Sequence, residues 1–175
     1  HAIGLKSISE GLEIHYRLRR SAQDVLRRDA SRIHVLIVGG GYTGFETAGH
    51  VLTLLDRLGR ARGRNLRKHF DIRILDIAPK VLSMVDESIS RQAIQAMKSE
   101  GVQICTQLTL DEFLDPRKVR LSDGQVISDA IVLWTPGVKT SKAATTTPGE
   151  KGPRKTLAAD SCLRVKGAEG IYAAG

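Results

Sequence analysis

One stretch constrains the fold of this chain more than any other. Residues 32–55 read RIHVLIVGGGYTGFETAGHVLTLL: an apolar run, three consecutive glycines, and then apolar residues at helical spacing. A short apolar run is typical of a buried strand, and the later spacing indicates a helix with one face in the core. The stretch therefore predicts a strand that turns sharply into a helix, with glycines at the turn.

The glycines follow a spaced pattern at this junction. Gly39, Gly41 and Gly44 form G-x-G-x-x-G directly after the predicted strand, and Gly40 fills the variable position, where the pattern does not require glycine. The first glycine permits the turn, the second lets a pyrophosphate approach the backbone, and the third lets the helix pack closely on the strand. The pattern favours a dinucleotide site at the helix N-terminus. The alternative is a flexible strand–helix corner that binds no ligand.

Three side chains extend the candidate site. Asp76 closes the next predicted strand, where an acid bonds the ribose 2′-hydroxyl and disfavours a 2′-phosphate, so we expect NADH to be preferred over NADPH. A plain Asp in a turn is the alternative, and Lys80 weakens the exclusion. Glu46 either bonds the nicotinamide half or is simply stabilised by the helix dipole. Tyr42 either covers the cofactor or is a surface residue.

The order of elements predicts an α/β fold, a Rossmann-like domain with a mostly parallel sheet and a β-meander insertion. The predicted helices cover residues 5–28 (or two helices joined near Ser21), the stretch after the glycines as far as about Gly59, and residues 87–100. The last of these lies between Asp86 and Gly101 and has Ile89, Ala93, Ala96 and Met97 on its apolar face. Strands are predicted over 32–38, 70–77 (stopped by Pro79), 102–107, 130–137 and 170–175, with short strands around a hairpin at 122–124 and a loop over 139–155.

The formal net charge is +8, and seven basic residues lie between Arg57 and Arg73 with only Asp71 among them. This run is either a docking patch for anionic lipid or nucleic acid, or a solvated helix end. Few aromatic residues accompany it and no nucleic-acid-binding motif is present, so we expect no nucleic acid partner.

Other functional classes are disfavoured. Cys105 and Cys162 are distant in sequence and form neither a CxxC pair nor a zinc spacing, so we expect reduced, structural thiols and no metal site. No pair of side chains suggests a general base or nucleophile, so no catalytic residue is predicted. No apolar run is long enough to cross a bilayer and no signal-peptide pattern opens the chain, which predicts a cytoplasmic protein.

Several segments together resemble a known family. VLIVGGGYTGFETAG, AIVLWTPGV, LRVKGAEGIYAAG and the opening HAIGLKSISEGLEIHYRLRR are similar to the type II NADH:quinone oxidoreductases of the pyridine nucleotide-disulfide oxidoreductase superfamily. The resemblance implies an NADH-binding domain of a longer flavoenzyme that passes hydride from NADH to FAD and then to a quinone. The longer protein would be peripheral on the cytoplasmic face of a membrane, which it would reach through other parts.

The resemblance also implies roles for residues and limits for domains. Gly39, Gly41, Thr43 and Gly44 would hold the pyrophosphate, and the segment Thr135, Pro136 and Gly137 would lie near the nicotinamide, with Pro136 where alanine is commoner. Residues 1–30 would be a helical linker from the missing FAD domain, 31–140 the NADH-binding domain, and 141–175 a linker with the truncated return into the FAD domain. The alternatives are another flavoprotein of this architecture, of the sulfide:quinone or ferredoxin reductase type, and a non-catalytic dinucleotide-sensing module.

Overall fold

The computed structural model describes residues 2–28, 32–137 and 140–174. The chain divides into two compact units, His1–Pro136 and Gly137–Gly175. The first unit contains the glycine-rich corner and the sheet that carries it.

A five-stranded parallel sheet is the centre of the first unit, with the strand order β1-β8-β2-β3-β4. Three further strands form an antiparallel sheet in the order β5-β6-β7. The strands are β1 (Ile3–Gly4), β2 (Ile33–Val38), β3 (Phe70–Asp76), β4 (Gln103–Thr106), β5 (Leu110–Asp115), β6 (Lys118–Leu121), β7 (Val126–Ile127) and β8 (Ala130–Trp134). The predicted α/β class, the parallel sheet and the meander are confirmed, whereas the two-residue strand β1 was not predicted.

Three helices accompany the sheet: α1 (Ile8–Arg28), α2 (Tyr42–Arg60) and α3 (Glu87–Ser99). Helix α1 is continuous through Ser21. It begins with a capping box, in which the Glu10 amide donates to Ser7 Oγ at 3.2 Å and Glu10 Oε2 accepts from the Ser7 amide at 2.9 Å. A hydrogen bond from the Lys6 amide is the main cause that lowers the pKa of Glu10. Among the described helices, none is both long and apolar enough to cross a membrane.

The two faces of the parallel sheet bury different side chains. Val35 and Ile37 point into a cluster that includes apolar residues of α1 and α2, whereas Leu36 and Val38 point into a second cluster with Val119 and others of the meander. Strand β2 is therefore buried on both faces, which is why its sequence is an almost continuous apolar run rather than an alternating one.

Helix α3 has the predicted caps but not the predicted buried face. Asp86 Oδ1 accepts from the Ser88 amide at 2.8 Å, and Gly101 follows the helix with φ +85°. Ile89 is 58% exposed, however, and Ala96 is also exposed. The partly buried residues that pack against the core are instead Ala93, Ile94 and Met97. The predicted face was therefore only partly correct.

The second unit has little regular structure. Helix α4 (Lys142–Thr146) and a 3-10 turn (Pro153–Lys155) lie where a loop was predicted, although most of that segment is irregular. The predicted strand over 170–175 is wrong: residues 170–174 contain only one isolated bridge, Arg164 with Tyr172. Apolar composition suggested a strand, but Tyr172 is 64% exposed and no extended partner strand flanks it among the described residues of this unit.

Candidate nucleotide-binding site

The glycine-rich corner lies at a switch point of the sheet. After β2 the chain proceeds through β3 and β4 on one side, whereas β8 pairs with the other side of β2. Val38 pairs in register with both Leu75 and Trp134, so three strands end at the same edge. In open α/β sheets, ligands bind in a crevice outside the carboxyl ends of the strands at such a point.

Two glycines are required by packing at this corner. Gly39 has φ +115°, and a Cβ atom there would lie 2.9 Å from Thr135 Oγ1. A Cβ on Gly44 would lie 1.9 Å from the Gly39 carbonyl oxygen. The first glycine therefore makes the turn and the third lets the first turn of α2 touch the end of β2, as their positions in the pattern predict.

Gly40 is also required, contrary to the sequence-based expectation that this position is free. A Cβ here would lie 2.4 Å from Val81 Cγ1 and 2.9 Å from Asp76 Oδ2. The segment after β3 folds back over the corner, and the Leu82 amide donates to the Gly40 carbonyl at 2.9 Å. Leu82 has φ +51°, a left-handed conformation that is uncommon for leucine. No local sequence pattern indicates this contact.

Gly41 differs from its neighbours, because no contact with the described part of the chain requires a glycine there. Its φ of −84° and ψ of −171° are extended backbone that any residue adopts. A Cβ built on Gly41 would meet no atom of residues 2–28, 32–137 and 140–174 within 4 Å. Gly41 is the N-cap of α2, yet it has no side chain to accept the amides of the first turn. Open space beside a helix N-terminus leaves the amides and their partial positive charge accessible to an anion.

Asp76 is placed at this corner by the end of β3. Its Oδ2 accepts from the Gly40 amide at 2.6 Å, and its Oδ1 accepts from the Ala78 amide at 2.8 Å. The carboxylate therefore fixes the position of the glycine turn. Each carboxylate oxygen accepts a second bond when a donor approaches, so a ribose hydroxyl remains compatible with both contacts.

Thr135 joins the ends of two strands. Its amide and its Oγ1 both donate to the Val38 carbonyl, each at 2.9 Å. The contact holds the end of β8 against the glycine corner. Pro136 is exposed at the end of the first unit, and Gly137, the first residue of the second unit, has φ +58°.

The remaining predicted residues lie on the first turns of α2. Tyr42 is 60% exposed, and Thr43 and Glu46 are also exposed. Glu46 lines one end of a groove of about 580 Å³ between α1 and α2, together with His15 and His50. The groove is mostly apolar, and sequence reasoning missed it because it depends on how α1 lies against α2.

The comparisons with known proteins agree with this geometry. Residues 5–175 match the model of the pyridine nucleotide-disulphide oxidoreductase family. The chain belongs to this family. The resemblance predicted from sequence is thereby confirmed at the level of the superfamily.

Individual relatives resemble the chain over most or all of its length. The chain is 31% identical to demethylphylloquinone reductase NdbB of Synechocystis over 98% of its length, and 25% identical over its whole length to the external alternative NAD(P)H-ubiquinone oxidoreductase B4 of Arabidopsis thaliana. The fold also matches NDH2 of Plasmodium falciparum, solved in complex with NADH, with a TM-score of 0.79 at 17% identity over 98% of this chain.

The chain spans only part of each of these relatives. It covers 41% of the Synechocystis protein, 32% of the Arabidopsis protein and 38% of the Plasmodium chain. The family thus includes proteins more than twice as long as these 175 residues.

The family description includes disulphide chemistry, which the cysteines of this chain do not suggest. Cys105 and Cys162 are both free thiols and belong to different units. Burial raises the pKa of Cys105, which disfavours the reactive thiolate. Cys162 is exposed. No group of metal-binding side chains occurs within residues 2–28, 32–137 and 140–174.

Proposed function

We propose that this chain is the NADH-binding module of a flavin-dependent NADH dehydrogenase. In a longer parent protein, hydride would pass from NADH to FAD and then to a quinone. The names of the relatives support the reaction class, since they include NAD(P)H-ubiquinone oxidoreductases. The short share of those relatives that the chain covers supports a flavin domain elsewhere in the parent.

The observation that carries the proposal is the contrast at Gly41. Its three glycine neighbours in the corner are explained by contacts within the protein, whereas Gly41 faces open space at the start of α2. A side chain would fit there without a ligand. The absence of one is explained if a pyrophosphate approaches the backbone, because its oxygens need the amides at short distance.

The residues at the corner would divide the cofactor between them. Gly39, Gly40, Gly41, Thr43 and Gly44 would surround the pyrophosphate. The carboxylate of Asp76 would accept from the adenosine ribose while it holds the Gly40 amide. This geometry supports a preference for NADH, because a 2′-phosphate would bring a second anion to the same carboxylate.

The nicotinamide half would lie on the side of Glu46 and Tyr42, near the segment that contains Thr135, Pro136 and Gly137. Thr135 would position this segment, because its hydroxyl donates a hydrogen bond to the Val38 carbonyl. The nicotinamide supplies the hydride when bound, and the chain's own residues bind it and orient it. No residue of the chain is assigned a catalytic role.

The proposal also includes the domain boundaries and the position of the parent protein at a membrane. Residues 1–30 would lead in from the FAD domain, 31–140 would bind NADH, and 141–175 would return to the FAD domain. The parent would lie on the cytoplasmic face of a membrane, where it meets its quinone.

Calorimetric titration of the purified chain with NADH tests the proposal. We expect weak, saturable binding of NADH, a colourless protein without flavin, and no oxidation of NADH when a quinone is added. Absence of any NADH binding by the folded chain would contradict the proposal. Purification of a yellow, FAD-containing protein would contradict the assignment as a module without a flavin site.

A further inference from the structure

The far end of α2 carries a basic surface that nucleotide binding does not use. We define the arginine surface as Arg57, Arg60, Arg62 and Lys68. All four residues are exposed. They lie on the last turn of α2 and on the segment that leads into β3.

We propose that the arginine surface binds the anionic headgroups of a phospholipid bilayer. Clusters of four to eight Lys and Arg residues are typical of sites that recognise such lipids. The surface lies at the end of α2 opposite the glycine corner, and a helix of 19 residues places the two ends about 28 Å apart. A bilayer at this end would leave the nucleotide crevice open.

The backbone holds the arginine surface in a defined shape. The Arg62 and Arg64 amides donate to the Gly59 carbonyl at 2.9 and 3.0 Å. A Cβ on Gly59 would lie 2.4 Å from the Arg64 carbonyl oxygen, so the chain turns back closely there. Leu66 is only 2% exposed and anchors the turn in the core. The cations are therefore carried by ordered structure.

Acidic neighbours do not neutralise the surface. Asp56 and Glu100 both pair with Arg67, and Asp71 pairs with Arg73. Within the described residues, Arg57, Arg62 and Lys68 have no ion-pair partner, and Arg60 is near only Asp56, which Arg67 already binds.

The helix dipole alone does not explain these residues. Cations in the last turn of a helix are stabilised by its negative end, which accounts for Arg57 and Arg60. The effect falls off within that turn, so Arg62 and Lys68, which lie beyond it, have no such explanation.

The choice of lipid over nucleic acid rests on the proposed function. A quinone with a long apolar tail is dissolved in a bilayer, so its reductase works at that surface. The arginine surface also contains no aromatic side chain on which bases would stack.

Co-sedimentation of the purified chain with vesicles tests the proposal. We expect binding to vesicles of phosphatidylcholine mixed with phosphatidylserine, little binding to phosphatidylcholine alone, and loss of binding as salt increases. The variant Arg57→Gln/Arg60→Gln/Arg62→Gln/Lys68→Gln should bind the mixed vesicles at least ~100-fold more weakly, because each of the four charges contributes roughly fivefold.

A matched variant separates a local surface from net charge. Arg91→Gln/Lys142→Gln/Lys155→Gln/Lys166→Gln removes four exposed cations elsewhere and should bind the mixed vesicles much as the original chain does. Equal binding to both kinds of vesicle, or an equal loss in the matched variant, would overturn the proposal. Tighter binding to single-stranded RNA than to the mixed vesicles, lost in the first variant, would overturn it in favour of nucleic acid. Titration of both variants with NADH measures nucleotide binding separately. If the original chain binds no NADH, that result contradicts the proposed function, whereas the vesicle experiment alone decides lipid binding.

Discussion

The two ends of helix α2 differ in the groups that lie at the poles of its dipole. At its start, backbone is packed so closely that Gly39, Gly40 and Gly44 leave no room for side chains. At its end, long cationic side chains extend outwards from Arg57 and Arg60 into solvent. The first end presents bare amides with partial positive charge, and the second covers partial negative charge with cations.

This difference shows which glycines report on folding and which report on binding. Where a Cβ would collide with other atoms of the protein, folding alone requires the glycine, and this also holds for Gly59 at the end of the helix. Gly41 is the residue of the corner that such contacts leave unexplained. Substitutions along α2 should therefore separate stability from nucleotide affinity.

Gly44→Ala should have the largest effect on stability. The new Cβ would lie 1.9 Å from the Gly39 carbonyl oxygen, which is backbone and cannot rotate away. We expect the free energy of unfolding to fall by about 3 kcal/mol or more as α2 moves off β2. Urea denaturation measures this, with Gly49→Ala as the control because its Cβ would meet only Met97 Cε at 3.7 Å. Equal stability of the two variants would show that the close approach is not required.

Gly40→Ala should have a smaller effect, because the main obstacle is a side chain. Val81 Cγ1, at 2.4 Å from the new Cβ, can rotate, although Asp76 Oδ2 at 2.9 Å must also shift. We expect a loss of about 1–2 kcal/mol in the free energy of unfolding, partly restored by Val81→Ala in the double variant. If Val81→Ala restores none of it, the two residues do not compete for this space.

Asp76→Asn should change specificity more than stability. The amide oxygen still accepts one backbone bond, but the negative charge that disfavours a 2′-phosphate is removed. We expect the ratio of NADPH to NADH affinity to rise by about tenfold, equivalent to 1.4 kcal/mol. Competitive calorimetric titrations give this ratio. If the original chain binds NADPH as tightly as NADH, Asp76 does not select between them.

Asp56→Asn should give the smallest effect, at the other end of the helix. Arg67, which donates to both oxygens at 2.5 Å, lowers the pKa of Asp56 below its ordinary 3.8. The pair therefore stabilises the fold above the unfolded pKa, and this stability is lost as pH falls through the folded pKa. Because the pair is about one third exposed, we expect below ~1 kcal/mol at neutral pH. Denaturation curves from neutral to acidic pH should show a smaller pH dependence for the variant than for the original chain.

The fold was predictable wherever one local pattern determined one element. Strand β2, helix α2 and the cap at Asp86 follow from apolar period and residue type, and the structure contains all three. The prediction of a strand over 170–175 was wrong because a run of apolar residues does not specify a partner strand. Strand β1 was missed because two residues carry no period, and its position depends on pairing with β8.

The sequence predicted which residues meet at the glycine corner but not most of their contacts. The spacing of the glycines and the acid at the end of β3 predicted one common place, and the structure brings Asp76 and Gly40 together there. Contacts between irregular segments have no sequence period, so nothing indicated that Val81 and Leu82 would lie over Gly40. The groove between α1 and α2 was equally invisible, since it depends on packing between two helices.

Calorimetric titration of Gly41→Thr with NADH is the most direct test of the site. Threonine is about as good an N-cap as glycine, and its Cβ would meet no atom of the described residues within 4 Å. We expect thermal stability close to that of the original chain and at least ~10-fold weaker NADH binding, because the side chain occupies the place of the diphosphate. Gly11→Ala, which adds a Cβ to open space on α1, should leave NADH affinity unchanged. An unchanged Kd for NADH in folded Gly41→Thr would contradict the assignment of this corner as the nucleotide site.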